Sequence, residues 1–142
     1  MKWNGYATVA WNPLCGCDNS ACPVINVCWA RRMAKRQKCL KCNAFVPHIH
    51  PDRLEAPLHW RKPQVIAANF MGDWMCQPPE NIDLFLEVVA ATPQHTYLAL
   101  TKMPQLLYAN FHGVTKECPC RELAGGDYLP NLWFGVTLTS EA

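Results

Sequence analysis

Charge is scarce in this sequence. Asp, Glu, Lys and Arg make up 17% of its 142 residues, and the formal net charge is +2. So small an excess leaves little footprint for nucleic acid or an anionic membrane, and nucleic acid is at most a weakly supported partner. Long apolar runs are missing too. Met1-Lys2-Trp3-Asn4-Gly5 lacks the hydrophobic stretch of a signal peptide, and no segment approaches the roughly 20 apolar residues that cross a bilayer. We expect a cytoplasmic protein with no membrane partner. A glycine-rich phosphate loop, a nucleophilic triad and a catalytic carboxylate pair are absent as well. Asp83 and Glu87 lie four residues apart on a candidate helix, where a solvated face is the simpler reading.

What the sequence has in quantity is apolar residues and cysteine. Half of its residues are hydrophobic, enough for the packed core of one domain. It holds nine cysteines, an odd number that a closed disulfide framework would not leave. In a reducing compartment such clusters serve as metal ligands or catalysts. Cys76 reads as a small buried hydrophobe. Cys15, Cys17, Cys22 and Cys28 do not, because they fall among Gly16, Asp18, Asn19, Ser20 and Pro23, which is loop composition. We expect a thiolate-lined loop after a first strand, built to hold an iron–sulfur cluster.

The chain then alternates. Ala7–Trp11 is a short apolar run and a candidate strand. Cys28–Lys38 reads as a helix, with Trp29, Met33 and Gln37 at helical spacing and Arg31, Arg32, Lys35, Arg36 and Lys38 on a solvated face. Prolines 47, 51, 57 and 63 predict an irregular excursion. Gln64–Phe70 is a second strand. Pro78 and Pro79 open a helix with Ile82, Phe85, Leu86 and Val89 on one face. Thr96–Leu100 is a third strand, and Pro104 starts a helix with Met103, Leu106, Leu107 and Phe111 as apolar positions. A polar loop with Gly113, Cys118-Pro119-Cys120 and Gly125-Gly126 precedes a fourth strand, Leu132–Leu138.

Near-continuous apolar strands alternating with helices predict an α/β fold with a parallel sheet. Four strands are too few to close a barrel, so the expectation is a partial (βα) barrel, truncated after the fourth strand. The whole of 1–142 is read as a single partial domain, with an irregular Cys/His-containing insertion at about 39–63. A partner chain completing the barrel would cover the last strand. Polar residues follow each strand: the cysteine loop, Gly72-Asp73, Thr101-Lys102, Thr137 and Thr139. In parallel α/β architectures the site forms at those strand ends, so they should converge on one pocket.

A second group is Cys39-x-x-Cys42 followed by His48-x-His50, with donors suited to tetrahedral zinc. Cys118 and Cys120 could replace the histidines, or Cys39 and Cys42 could belong to a second cluster. A helix end with a bystander cysteine pair is the plain alternative.

The ordered blocks also carry a resemblance. Trp11-Asn12-Pro13, Gly16-Cys17, Cys28-Trp29-Ala30-Arg31-Arg32-Met33-Ala34, Pro47–Leu54, Met71-Gly72-Asp73, Pro93–Thr96, Leu100–Pro104 and Leu129–Thr137 run in sequence along nearly the whole chain. Together they resemble a phage-associated radical-S-adenosylmethionine-like family of unknown function with a three-cysteine motif. Its members usually close that motif with Cys-x-x-Cys, whereas Pro23–Val27 here separate Cys22 from Cys28. They also continue past the Gly-Val-Thr strand, so this chain corresponds to the front part of such a domain.

The resemblance implies a radical-SAM-like fold and a 4Fe-4S cluster on Cys17, Cys22 and Cys28, with Cys15 as substitute ligand. Three thiolates leave one iron open, and in such enzymes S-adenosylmethionine chelates it. An electron donor then drives sulfonium cleavage to a 5′-deoxyadenosyl radical, which abstracts hydrogen from a substrate. On this reading Trp29 covers the cluster or the adenine, or else serves as a core residue. Asp73 would bind the cofactor's ammonium or ribose, and Lys102 its carboxylate. Thr101, Thr137 and Thr139 would add hydroxyl contacts. The plain alternatives are a turn cap for Asp73, a solvated Lys102 and ordinary strand threonines. The runner-up function is a zinc-stapled binding or structural module, or an inactive fragment of such an enzyme.

Overall fold

The computed structural model describes residues 5–106 and 129–138. Leu107, Phe111, Gly113, Cys118, Cys120, Gly125, Gly126 and Thr139 lie outside the described residues.

Four parallel strands form the central sheet: β1 (Val9–Trp11), β4 (Val65–Ala68), β5 (Thr96–Thr101) and β6 (Leu132–Val136), in the order β1-β4-β5-β6. Registers run Val9 to Ile66, Ile66 to Tyr97 and Tyr97 to Leu132, so the strands start near one level, while β5 and β6 run on past the level at which β1 ends at Trp11 and β4 at Ala68. This is the expected α/β sheet, consistent with a partial barrel. β1, β4 and β6 are shorter than the apolar runs that announced them, and β5 starts at Thr96 as expected and runs on to Thr101. The second stops at Ala68 because Asn69 turns into the left-handed region (φ 57°). That turn is held by the Asn69 amide oxygen, which accepts the Leu14 N–H at 3.3 Å.

Helix α4 (Pro79–Ala91) follows the expectation from its prolines. Ile82, Phe85, Leu86, Val88 and Val89 are buried against the sheet, where Phe85 stacks on Trp11 at 5.3 Å. Trp74, Tyr97 and Leu132 complete this core, and Met103 and Leu106 pack on its edge. Pro104 opens a helical segment described through Leu106.

The first helix departs from expectation. α1 is Trp29–Ala34 only, and beyond it Arg36 and Gln37 bond back to Met33 and Ala34 in tight i→i+3 turns. With Lys35, Arg36 and Lys38 exposed, nothing buries a further turn.

The proline-rich stretch is not a plain loop. It holds α2 (Leu40–Ala44), β3 (His48–Ile49), α3 (Pro51–Leu54) and a 3₁₀ turn (Ala56–His59). β3 pairs antiparallel with β2 (Leu14–Cys15), so Cys15 faces His48 across a two-stranded ladder. This small sheet lies at the end of β1 and ties the 39–63 region to the cysteine loop.

Candidate functional site

Two sulfur-rich places sit side by side at the C-terminal ends of the strands. The first is built on α2 and β3. Cys39 is the N-cap of α2, and its sulfur accepts the Cys42 N–H at 3.5 Å. Phe45 ends α2 in the left-handed region (φ 57°), which reverses the chain and brings His48 and His50 back over Cys42. The donor atoms of Cys39, Cys42, His48 and His50 all lie within 4.8 Å of one another. Cys42 Sγ is 3.4 Å from His48 Nε2 and 3.1 Å from His50 Nε2, and the two Nε2 atoms are 3.0 Å apart. Cys39 Sγ is 3.8 Å from His48 Nε2.

Those separations suit one ion. Zinc–sulfur bonds of about 2.3 Å and zinc–nitrogen bonds of about 2.0 Å at tetrahedral angles put donor atoms roughly 3.3–3.8 Å apart. The imidazoles are prepared as well. His48 Nδ1 lies 2.7 Å from the Val46 carbonyl, an acceptor that fixes the proton there and turns the Nε2 lone pair inward. Burial, then the Arg53 and His48 charges, hold His50 below its usual 6.5, so it stays neutral and able to ligate. The Cys42 N–H lowers the Cys39 thiol, while burial raises that of Cys42. The group can therefore bind a metal ion, as its spacing suggested.

Cys15 belongs to this neighbourhood and not to the loop cysteines that follow it. It is buried beside Cys42, and burial, then the Cys42 charge, push its thiol up to about 12. A cavity of about 330 Å³ there is lined by Cys15, Cys42, Asn12, Gln37 and Arg53.

The second place is a cavity of about 500 Å³. It is lined by Cys17, Cys22 and Cys28 from the loop and by Trp29 at the start of α1. Asp73, Thr101, Lys102 and Thr137 reach it from the ends of β4, β5 and β6. Among the described residues, every strand-end candidate and the three loop cysteines thus meet in one pocket. Trp29 is 51% exposed and lies 6.2 Å from the Phe70 ring, so it is a cavity wall and not a core residue.

Asp73 does two jobs at this pocket. It caps the 3₁₀ turn Trp74–Cys76 by accepting the Met75 N–H at 3.2 Å. The same carboxylate takes the Thr101 hydroxyl at 2.7 Å and the Lys102 N–H at 2.7 Å, tying β4 to β5. The turn cap and the cavity wall are the same residue.

The sequence reading missed Cys76. It is partly exposed and not a fully buried hydrophobe, and its Sγ lies 3.5 Å from Cys17 Sγ and 3.3 Å from Met103 Sδ. The Cys76 thiol stabilises the Cys17 thiolate, lowering Cys17 to about 6, and is itself raised. Only the strand-end position of residues 72–76 hinted at this placement.

Backbone contacts join the two places. Cys17 N–H donates to Phe45 O at 3.1 Å, and Gly16 N–H to Met71 O at 3.0 Å. A Cβ on Gly16 would sit 2.0 Å from Val46 O, and one on Gly72 would sit 2.1 Å from Gly16 O. Gly16 also has φ +89°, a conformation that glycine adopts without strain.

No helix among the described residues is long and apolar enough to cross a membrane. No curated protein and no solved structure matches this chain. Residues 4–142 match the family described as protein of unknown function (DUF5131), and the chain belongs to that family.

Proposed function

We propose that this is an iron–sulfur protein of the radical S-adenosylmethionine type, with a structural zinc ion beside its cofactor cavity. One observation carries the reading: Cys17, Cys22 and Cys28 line the same cavity as Trp29, Asp73, Thr101, Lys102 and Thr137. Its volume of about 500 Å³ falls within the roughly 300–1,000 Å³ of small-molecule sites. Three soft thiol donors lining one cavity are of the kind that suits iron, and three such ligands would leave a fourth coordination position to a ligand from the cavity.

When bound, the cluster and the sulfonium cofactor supply one-electron chemistry that no side chain here can supply. The chain's own residues bind and orient. Lys102 offers a cation to a carboxylate, and Trp29 a flat apolar wall to a purine. Asp73 positions the ends of β4 and β5, its oxygens being occupied by Thr101 and Lys102.

Anaerobic reconstitution with iron and sulfide tests it. The expected product is brown, with equal iron and sulfide, and a Cys17→Ala, Cys22→Ala, Cys28→Ala variant stays colourless. A wild-type protein that takes up zinc alone overturns the proposal. The Cys39, Cys42, His48 and His50 group favours the second reading in that event, a zinc-stapled binding module.

A further inference from the structure

We propose that Cys17 and Cys76 form a redox-active dithiol that closes to a disulfide when peroxide reaches it. Cys17 lies in the loop after β2 and Cys76 ends the 3₁₀ turn after β4, yet their sulfurs are in contact at 3.5 Å. A disulfide bond is about 2.05 Å long, so roughly 1.5 Å of closing motion separates contact from bond. Rotation of the Cys17 side chain about its Cα–Cβ bond supplies that motion while its backbone N–H stays bonded to Phe45 O. Both residues are partly exposed, which gives a small oxidant access. Met103 Sδ, 3.3 Å from Cys76 Sγ, keeps the second thiol facing this sulfur-lined corner.

The chemistry closes in two steps. Cys17 sulfur attacks one peroxide oxygen, forming S–O and breaking O–O, and the departing hydroxide takes the thiol proton to become water. Cys76 sulfur then attacks the Cys17 sulfenic sulfur. The S–S bond forms, the S–O bond breaks, and the second hydroxide leaves as water with the Cys76 proton. The two sulfurs lose two electrons in all, and the peroxide oxygens gain them.

The dithiol itself needs no metal. Its consequence rests on the proposed cluster: a Cys17 tied to Cys76 is no longer a thiolate ligand, so the disulfide and the cluster exclude each other. Oxidation would then close the cavity to iron and reduction would reopen it.

The test is peptide mapping of the full-length, iron-free protein after brief hydrogen peroxide treatment. The expected result is a Cys17–Cys76 link as the main product, reversed by dithiothreitol. In Cys76→Ser the link is absent and Cys17 advances to sulfinic acid. Oxidised protein in which Cys17 and Cys76 stay unlinked, or in which the link is confined to Cys39 and Cys42, overturns the proposal. Iron uptake is then compared before and after oxidation. A protein that forms the link but takes up no iron in either state keeps the dithiol and removes the cluster reading. Iron uptake without the link does the reverse.

Discussion

The Thr101 hydroxyl donates to Asp73 Oδ1 at 2.7 Å, and this bond ties the end of β5 to the segment that follows β4. The other carboxylate oxygen accepts the Lys102 N–H, also at 2.7 Å. Both oxygens accept, so an amide cannot replace the carboxylate without setting its NH₂ against a donor. Asp73→Asn is expected to cost about 2 kcal/mol, the usual worth of a hydrogen bond to a charged group. Urea denaturation measures it. An unchanged midpoint would show that the strand ends are held by other means.

The Cys39, Cys42, His48 and His50 group predicts one zinc ion per chain by elemental analysis of protein purified without chelator. His48→Ala and Cys42→Ser should each release it and lower the melting temperature, as metal that binds only the folded state stabilises that state. A chelator should reproduce the loss in the wild type.

Acid should weaken the same region. His50 is held below 6.5 in the folded chain, so the unfolded chain takes up that proton first. The stability is full above pH 6.5 and declines as pH falls through the folded value. Denaturation from pH 8 to 5 checks the sign, with His50→Gln flattening the decline in metal-free protein.

Thiol reactivity gives a separate test of the Cys17 environment. In reduced, metal-free protein the alkylation of Cys17 should reach half its maximal rate near pH 6, well below the usual 9.0. Removing the Cys76 thiol with Cys76→Ala should move that midpoint back up. Mass spectrometry of iodoacetamide-treated samples across pH reads both.

Glycine positions discriminate space from backbone freedom. Gly16→Ala meets Val46 O at 2.0 Å, and Gly72→Ala meets Gly16 O at 2.1 Å. Each is backbone that cannot step aside, so about 3 kcal/mol or more of stability should go. Gly5, also at positive φ (+76°) but with open space around it, should lose only about 1 kcal/mol as Ala. Calorimetry on the three variants separates the two causes.

The sheet was legible because its strands are apolar runs ending in polar residues. Ile66–Ala68 and Tyr97–Ala99 announce themselves by composition, and Pro79 by its place at the first turn of α4. The convergence of Asp73, Thr101, Lys102 and Thr137 followed from parallel topology alone. The spacing of Cys39, Cys42, His48 and His50 carried the metal group, because all four fall within one short excursion of the chain. Other features carried no such signal. β2 and β3 have two residues each, too few for alternation to register. Cys76 meets Cys17 only through the fold, across 59 positions of sequence, and no local pattern reports a pairing of that range. Cys15 looks like its loop neighbours in sequence, and only the β2–β3 ladder turns it toward His48.

The meeting of Gly16, Val46 and Gly72 also bears on how the protein matures. Residue 16 leaves the ribosome before the backbone against which it packs has been made. Until Gly72 has been synthesised, the sulfur-bearing segment lacks one side of its mould, and its thiols emerge without the fold that shapes them. Shaping of that segment, and any orderly metal insertion into it, therefore follows completion of β4 and does not accompany translation of the cysteines themselves.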